Sequence, residues 1–352
     1  TALGWYATVA GARMDFDAYL AHCARVGATP HVVLAYDNEE RTGATLPEFI
    51  DHAVAWVRYA QSRTPRVGLW EIGNENWHHQ TATPEQMAEV VAAFAAALRP
   101  IDPDIRLCAS GTDNRWWAAF LPAAGPHLDA VTLSLYNCWD WKSYDAYVRQ
   151  PRKDLIGPVR KAMRAIDALP SPHRERISVV VAETNSKDYS EGGWSDANSL
   201  GHALVLIDTF GQLLAEPRVS SAMQWTTRWA DDRECEQSLW YALGPDNRLM
   251  ATGTALALWA RAMRGTVIAA TSSRDDLVVH ALADPDGGLS LIALNKGAAT
   301  IHLTGLPMPV AQAWRLAGSG PDDLRPTLGP VAAEDARVCP PYSATACRLA
   351  PR

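Results

Sequence analysis

The chain has 352 residues, 48% hydrophobic and 20% charged, with 32 basic and 39 acidic residues and a net charge of −7. That composition excludes a disordered, collagenous or coiled-coil chain, and the acidic balance argues against a polyanion-binding surface as the main function. No apolar run reaches the ~20 residues of a membrane span. Fourteen Trp stand against five Phe. Indole faces stack on sugar rings and also fill cores, so composition alone leaves carbohydrate binding and plain packing both open.

The length suits two domains, or one large barrel with an appendage. In chain order the pattern predicts a helix over Phe16–Val26, a strand over Thr29–Asp37, a helix over Leu46–Gln61 and a strand over Gly68–Glu75. A helix over Pro84–Leu98 follows, with Thr83 as its N-cap and Glu85 in its first turn. Next come a strand at Ile105–Thr112, a helix at Arg115–Ala123, a strand at Leu128–Asn137 and a helical stretch Tyr144–Leu169. A strand at Ile177–Thr184, a helix at Ala197–Glu216, a strand at Val219–Thr227 and a helix at Thr252–Arg264 complete this part. Strand–helix alternation on this scale predicts a parallel sheet with helices outside it, and a continuous apolar strand such as ISVVVA fits burial on both faces. From Gly265 the runs become short and alternating, with turn signals such as Asp284-Pro285-Asp286-Gly287-Gly288 between them. That predicts an antiparallel β-sandwich over 265–352 behind a barrel-type domain over 1–264.

Six cysteines stand at 23, 108, 138, 235, 339 and 347 without a CxxC or Cys/His metal spacing. Cys339 and Cys347 flank a Pro-Pro turn, which fits either a small disulfide or free thiols and leaves the compartment open.

Two strands end alike. One runs Trp70-Glu71-Ile72-Gly73-Asn74-Glu75-Asn76-Trp77, the other Val181-Ala182-Glu183-Thr184-Asn185. In a parallel barrel the C-terminal strand ends carry the active site. A carboxylic acid at one end and a carboxylate at another are what glycoside hydrolysis needs: one protonates the leaving oxygen, the other attacks the anomeric carbon or activates water. A lone Glu at a strand end is more often a surface residue, so the pair matters and not either member.

WEIGNEN resembles the acid/base motif of clan A glycoside hydrolases, in which an Asn-Glu pair closes strand 4 of a (β/α)8 barrel, and AETN resembles their nucleophile motif at the end of strand 7. Glu183 lies on the third strand after Glu75, as a 4-to-7 placement requires. The resemblance implies Glu75 as acid/base, Glu183 as nucleophile and a retaining mechanism with carboxyl groups ~5–5.5 Å apart. Barrel plus sandwich, with the phrase LSLIALNKG, is similar to the arabinofuranosidase, β-xylosidase and heparanase-like families. Carried over by position, Asn74 would bond the substrate 2-hydroxyl, Tyr136 would donate to the nucleophile, Asn185 would line the site beside it, and Trp225 would be a sugar platform. Trp77, Trp139 and Trp194 would line further subsites, with loop packing as the alternative for each. Glu71, two layers deeper than Glu75, reads as a buried carboxylate needing a cationic partner. His78 and His79 belong to no larger ligand cluster and read as rim. No cofactor, metal, nucleic acid or membrane is expected, and the partner is a carbohydrate.

Three departures accompany the resemblance. If Glu75 ends strand 4, Thr29–Asp37 is strand 3, and strands 1 and 2 need roughly 60 or more further residues at the N-terminal side, from a preceding segment or a separate chain, unless the fold is atypical and lacks them. Many relatives carry a His in the strand-6 motif, where this chain has Ser134-Leu135-Tyr136-Asn137. The plain arabinofuranosidases usually show a Trp after the nucleophile, where this chain has Thr184-Asn185, a lean toward the β-xylosidase or heparanase-like side. The competing readings are a non-catalytic carbohydrate-binding relative and a metal-dependent barrel hydrolase. The latter would need His ligands at strand ends, which offer Glu, Tyr, Trp and Asn instead.

Overall fold

A computed structural model of the chain describes residues 8–9, 12–13, 15–36, 43–78, 82–138, 140–149, 154–187, 193–227, 240–262 and 264–351. After a short ladder of β1 (Thr8–Val9) and β2 (Ala12–Arg13) come α1 (Phe16–Val26), β3 (His31–Leu34), α2 (Leu46–Ala60), β4 (Leu69–Ile72), α3 (Pro84–Leu98) and β5 (Leu107–Ser110). Then follow α4 (Asn114–Ala124), β6 (Ala130–Tyr136), α5 (Asp145–Val148), α6 (Gly157–Asp167), α7 (His173–Arg176), β7 (Ser178–Asn185), α8 (Leu200–Leu214), β8 (Val219–Gln224) and α9 (Ala251–Ala262). The rest is β9 (Thr266–Ile268), β10 (Leu277–Ala283), β11 (Leu289–Asn295), β12 (Ile301–His302), β13 (Val310–Ala317), β14 (Thr327–Pro330), β15 (Val338–Cys339) and β16 (Ser343–Leu349).

Packing divides the chain into two compact units. The first comprises Thr1–Leu135, Gly157–Ala182 and Arg218–Ala222. Its centre is a six-stranded parallel sheet in the order β3-β4-β5-β6-β7-β8, the arrangement of a partial (β/α)8 barrel. Every residue of β4 and β5 is buried, as expected where helices cover a sheet. The helices start where local chemistry demands. Asp15 accepts the Ala18 amide at the head of α1. Thr83 and Gln86 exchange side chain-to-backbone bonds of 3.2 and 2.8 Å around Pro84, a capping box at the predicted N-cap. Met87, Val91, Phe94 and Leu98 then recur at helical spacing and are all buried, each contributing roughly 1.5–3 kcal/mol of burial.

The predicted helix Tyr144–Leu169 is two helices, α5 and α6. Pro158 suits the start of the second: it lacks an N–H and sits in the first turn of α6, where none is needed.

The second unit comprises Tyr136–Ile156, Glu183–Pro217 and Met223–Arg352, so α8 and α9 group with the C-terminal strands. Its main sheet is antiparallel, in the order β14-β13-β16-β11-β10-β9. Helix α9 packs on β11, β13 and β16. A second layer is thin: the β12–β15 ladder packs Ile301 and Cys339 onto Ala293, with Leu277 and Leu303 beside them. Cys339 and Cys347 are both free and buried, which answers the question of a disulfide between them. Burial pushes the Cys347 thiol up to about 11.

Helix α8 is buried almost all round. Gly211 lets it approach β10, since a Cβ there would stand 2.3 Å from the His280 ring. Gly211→Ala should therefore destabilise the fold by about 1–3 kcal/mol through overpacking, even though alanine gains about 1 kcal/mol in helix propensity. Urea denaturation of the two proteins checks this. An alanine variant as stable as the parent would contradict it.

Candidate active site

The first site residue stands just beyond β4. Gly73 turns the chain with a φ of 69°, and a Cβ there would collide with the Asn76 amide, 2.0 Å from its Oδ1. Asn76 is buried under the turn and donates from Nδ2 to the Tyr36 carbonyl at 3.2 Å. Glu75 has a φ of 46°, one of three non-glycine residues in the left-handed region among those described. That conformation costs roughly 1–2 kcal/mol for a side chain with a Cβ, and such strain gathers at functional sites. The Glu75 carbonyl accepts the His78 amide at 2.7 Å, and its Oε1 accepts the Ser134 hydroxyl. Glu75 is half-buried, while Asn74 beside it is exposed. Trp77 is half-buried with its ring edge-on to His78, centroids 5.4 Å apart.

Beneath this corner the sheet interior is polar. Glu71, 2% exposed, accepts the Thr132 hydroxyl at Oε1, and His31 Nε2 lies 3.0 Å from its Oε2. The partner expected for this carboxylate is thus an imidazole and not Lys or Arg. Cys108 lies 3.9 Å from the same imidazole nitrogen and 3.6 Å from the Trp70 carbonyl. Burial, with the Glu71 charge added, pushes its thiol well above the ordinary range. The three potential ligand atoms of His31, Glu71 and Cys108 lie within 4.8 Å of one another. They form a hydrogen-bonded network.

The second carboxylate stands near the end of β7, in the second unit. Tyr136, the last residue of β6, donates its hydroxyl to Glu183 Oε2 at 2.9 Å. The strand end carrying Glu183 is anchored residue by residue. The Trp225 amide donates to the Thr184 carbonyl at 3.0 Å, and Asn185 Nδ2 donates to the Trp225 carbonyl at 2.9 Å. The Cys138 amide donates to the Ser186 carbonyl at 2.8 Å. The Ser186 hydroxyl lies 2.7 Å from His202 Nδ1, and His202 Nε2 lies 2.8 Å from the Ser195 carbonyl. A carbonyl only accepts, so Nε2 carries the proton and Nδ1 receives the serine hydroxyl. Burial pushes the His202 imidazole down to about 3. Lys187, also buried, donates to the Trp194 carbonyl at 2.7 Å and pairs with Asp196.

Tyr136 with Glu183, and Asn185 with Trp225, are the expected site residues that the structure brings into contact. Trp225 is half-buried against Trp240 and Tyr241. Asn185 is fully buried and spends its amide on the backbone. Trp194 corrects the expectation of a subsite platform. It is 3% exposed, stacked on His202 at 3.5 Å between centroids and on Trp141 at 6.3 Å, so packing holds its ring. Trp139 and His79 lie outside the described residues.

The sequence reading missed Ser134, Ser186 and His202. One signal was available: Thr132, Ser134 and Tyr136 recur with period two on β6, and each donates its hydroxyl to a carboxylate. Ser186 and His202 carry no such pattern.

No family model matches the chain. A curated intracellular exo-α-(1→5)-L-arabinofuranosidase of Streptomyces lividans is 28% identical over 153 residues, 38% of this chain and 23% of that protein, so the match spans under a quarter of the relative's length. Among solved structures, a GH51 α-L-arabinofuranosidase from Thermotoga petrophila RKU-1 superposes with a TM-score of 0.73 at 15% identity, over 96% of this chain and 79% of that one. A GH30 endoxylanase from Clostridium papyrosolvens C71 gives 0.60 at 11%, over 95% and 82%. The chain therefore has the fold of the clan A glycoside hydrolases, a (β/α)8-type sheet followed by antiparallel β-structure. Within that clan its structural likeness includes the GH51 arabinofuranosidases, GH86 and GH30.

Proposed function

We propose that this protein is a retaining glycoside hydrolase cleaving O-glycosidic bonds of an oligo- or polysaccharide, with Glu75 as acid/base and Glu183 as nucleophile. The observation that carries the reading is the Tyr136 hydroxyl on Glu183 Oε2 at 2.9 Å, at a strand end. A donor of this kind favours the ionised carboxylate that nucleophilic attack requires. The strained backbone at Glu75 and the clan fold support it from two other directions.

In the first step Glu183 attacks the anomeric carbon as Glu75 gives its proton to the departing oxygen, leaving a glycosyl ester on Glu183. In the second, Glu75, now ionised, takes a proton from water as that water attacks the same carbon and releases Glu183. Asn74, exposed beside Glu75, is the residue for the substrate 2-hydroxyl, and Trp77 and Trp225 are the half-buried indoles available to a sugar face. Residues 1–264 are the catalytic barrel in this reading, and 265–352 its structural support.

The test is hydrolysis of nitrophenyl α-L-arabinofuranoside, β-xyloside, β-glucoside, β-galactoside and β-glucuronide by the full-length protein, followed by NMR of the anomeric product. The arabinofuranoside leads the panel because arabinofuranosidases stand among its structural and sequence relatives. Cleavage with retention is expected. Inversion would remove the nucleophile role of Glu183. Sugar binding without turnover on these glycosides and on polysaccharides would make the protein a binding relative of the same fold.

A further inference from the structure

The group that meets Glu75 is a hydroxyl, which can both donate and accept. The acid/base of a double displacement must be protonated in the first step and ionised in the second, and must point at the same oxygen in both. A cationic or amide N–H partner only donates, so it would favour the ionised form and could not receive the proton of the acid. A carbonyl only accepts, so it would do the reverse. A serine hydroxyl carries one donor and two acceptor lone pairs and turns about a single bond. It donates to the carboxylate and, rotated, accepts from the carboxylic acid.

We propose that Ser134 is the positioning residue of the acid/base, holding the Glu75 carboxyl in one orientation through both protonation states. The proposal rests on the assignment of Glu75 made above. Ser134 is well placed for it. It sits on β6 between Leu133 and Leu135, both buried, so the strand that bears it is fixed by packing. Two residues before it, Thr132 pairs with Ser110 of β5 in the sheet register and donates to the buried Glu71. Ser134 itself is half-buried. The deeper Thr132–Glu71 bond serves the interior, while the Ser134–Glu75 bond serves a carboxyl on a strained, half-buried turn with φ of 46°. The serine has one χ angle, so little side-chain freedom is lost in holding it there.

The experiment measures kcat/KM of the full-length protein, Ser134→Ala and Ser134→Thr on a series of aryl glycosides of one sugar, from dinitrophenyl to unsubstituted phenyl. Good leaving groups depart without a proton; poor ones need the acid. Ser134→Ala should lose on the order of 10–100-fold on the phenyl glycoside, part of the 10²–10⁴ that general acid catalysis supplies, and under about threefold on the dinitrophenyl glycoside. Ser134→Thr, which keeps the hydroxyl, should recover most of the loss. Ser134→Cys, close in size with a weak donor, provides the same comparison should alanine leave the protein unfolded. A loss equal across the series, or no loss, overturns the proposal. Glu75→Ala run alongside separates the two assignments: its losses should rise even more steeply with leaving-group basicity. If they are flat, the assignment of Glu75 fails; if they are steep while those of Ser134→Ala are flat, only the positioning role fails. A protein that turns over no glycoside overturns both.

Discussion

Glu183→Ala should lower kcat by on the order of a million-fold, the scale seen when a covalent nucleophile is removed, and sodium azide should restore turnover of an activated aryl glycoside. Alanine removes the attacking oxygens and leaves a space that a small anion can enter from the same face. Azide then bonds to the anomeric carbon once, so the expected product is a glycosyl azide of inverted configuration. Glu75→Ala should behave differently. Its first step survives with a good leaving group, the glycosyl ester accumulates because no base activates water, and azide releases a product of net retained configuration after two displacements. NMR of the two azide products therefore assigns each carboxylate its role. The backbone around Glu183 should tolerate the change, because that strand end is held by the Asn185–Trp225, Cys138–Ser186 and Trp225–Thr184 bonds rather than by the carboxylate itself. A melting temperature within a few degrees of the parent is the expected control. Residual activity within tenfold of the parent, or a retained azide from Glu183→Ala, would assign the nucleophile elsewhere.

The strand ends that carry Glu75 and Glu183 are legible in the sequence. Val179–Val181 is a buried apolar run that stops at a charge, and Trp70–Ile72 is buried throughout before a glycine turn. Period-two alternation likewise placed Glu71 on an inward face, where it is buried as expected. Parallel strands and amphipathic helices carry their own periodicity, which is why α1 and α3 fall on their predicted bounds. What stayed hidden was the identity of partners. Nothing local links Glu71 to His31, 40 positions earlier, or Ser186 to His202 across a loop and a helix start. Such pairs are fixed by which strand lies beside which, so sequence position alone does not display them. Trp194 shows the limit from the other side. A tryptophan just beyond a strand end reads equally as a sugar platform or as a buried ring, and here the stacking of His202 beneath it decides for burial. The β6 hydroxyls of Thr132, Ser134 and Tyr136 share one face by simple alternation, so the pattern that points to Tyr136 points equally to the other two.

Acid should weaken this fold through His202 more than through a typical histidine. The imidazole is fully buried, receives the Ser186 hydroxyl at Nδ1, donates from Nε2 to the Ser195 carbonyl and stacks on Trp194. Burial comes first among the causes that hold its folded pKa at about 3, against 6.5 for the free side chain, and the nearby Lys187 charge acts in the same direction. Between those two values the unfolded chain binds a proton that the folded chain refuses. Stability is therefore full above pH 6.5 and falls as the pH drops toward 3, by about 1.4 kcal/mol per pH unit and roughly 5 kcal/mol in all. Carboxylates titrate in the same range, so the contribution of His202 is read as a difference. Urea denaturation of the parent and of His202→Asn at pH 7 and pH 4 should show the parent losing about 3 kcal/mol more than the variant. Parallel losses in the two proteins would refute the assignment. The consequence reaches the candidate site, because Ser186 lies three residues beyond Glu183 and its carbonyl and hydroxyl are both engaged in this anchor. Charging His202 strains the segment that carries Glu183, the proposed nucleophile, so Glu183 should lose its fixed position as that anchor gives way. Turnover on a nitrophenyl glycoside should then fall on the acid side at a higher pH in the parent than in His202→Asn, both proteins keeping the acid limb that protonation of the proposed nucleophile imposes.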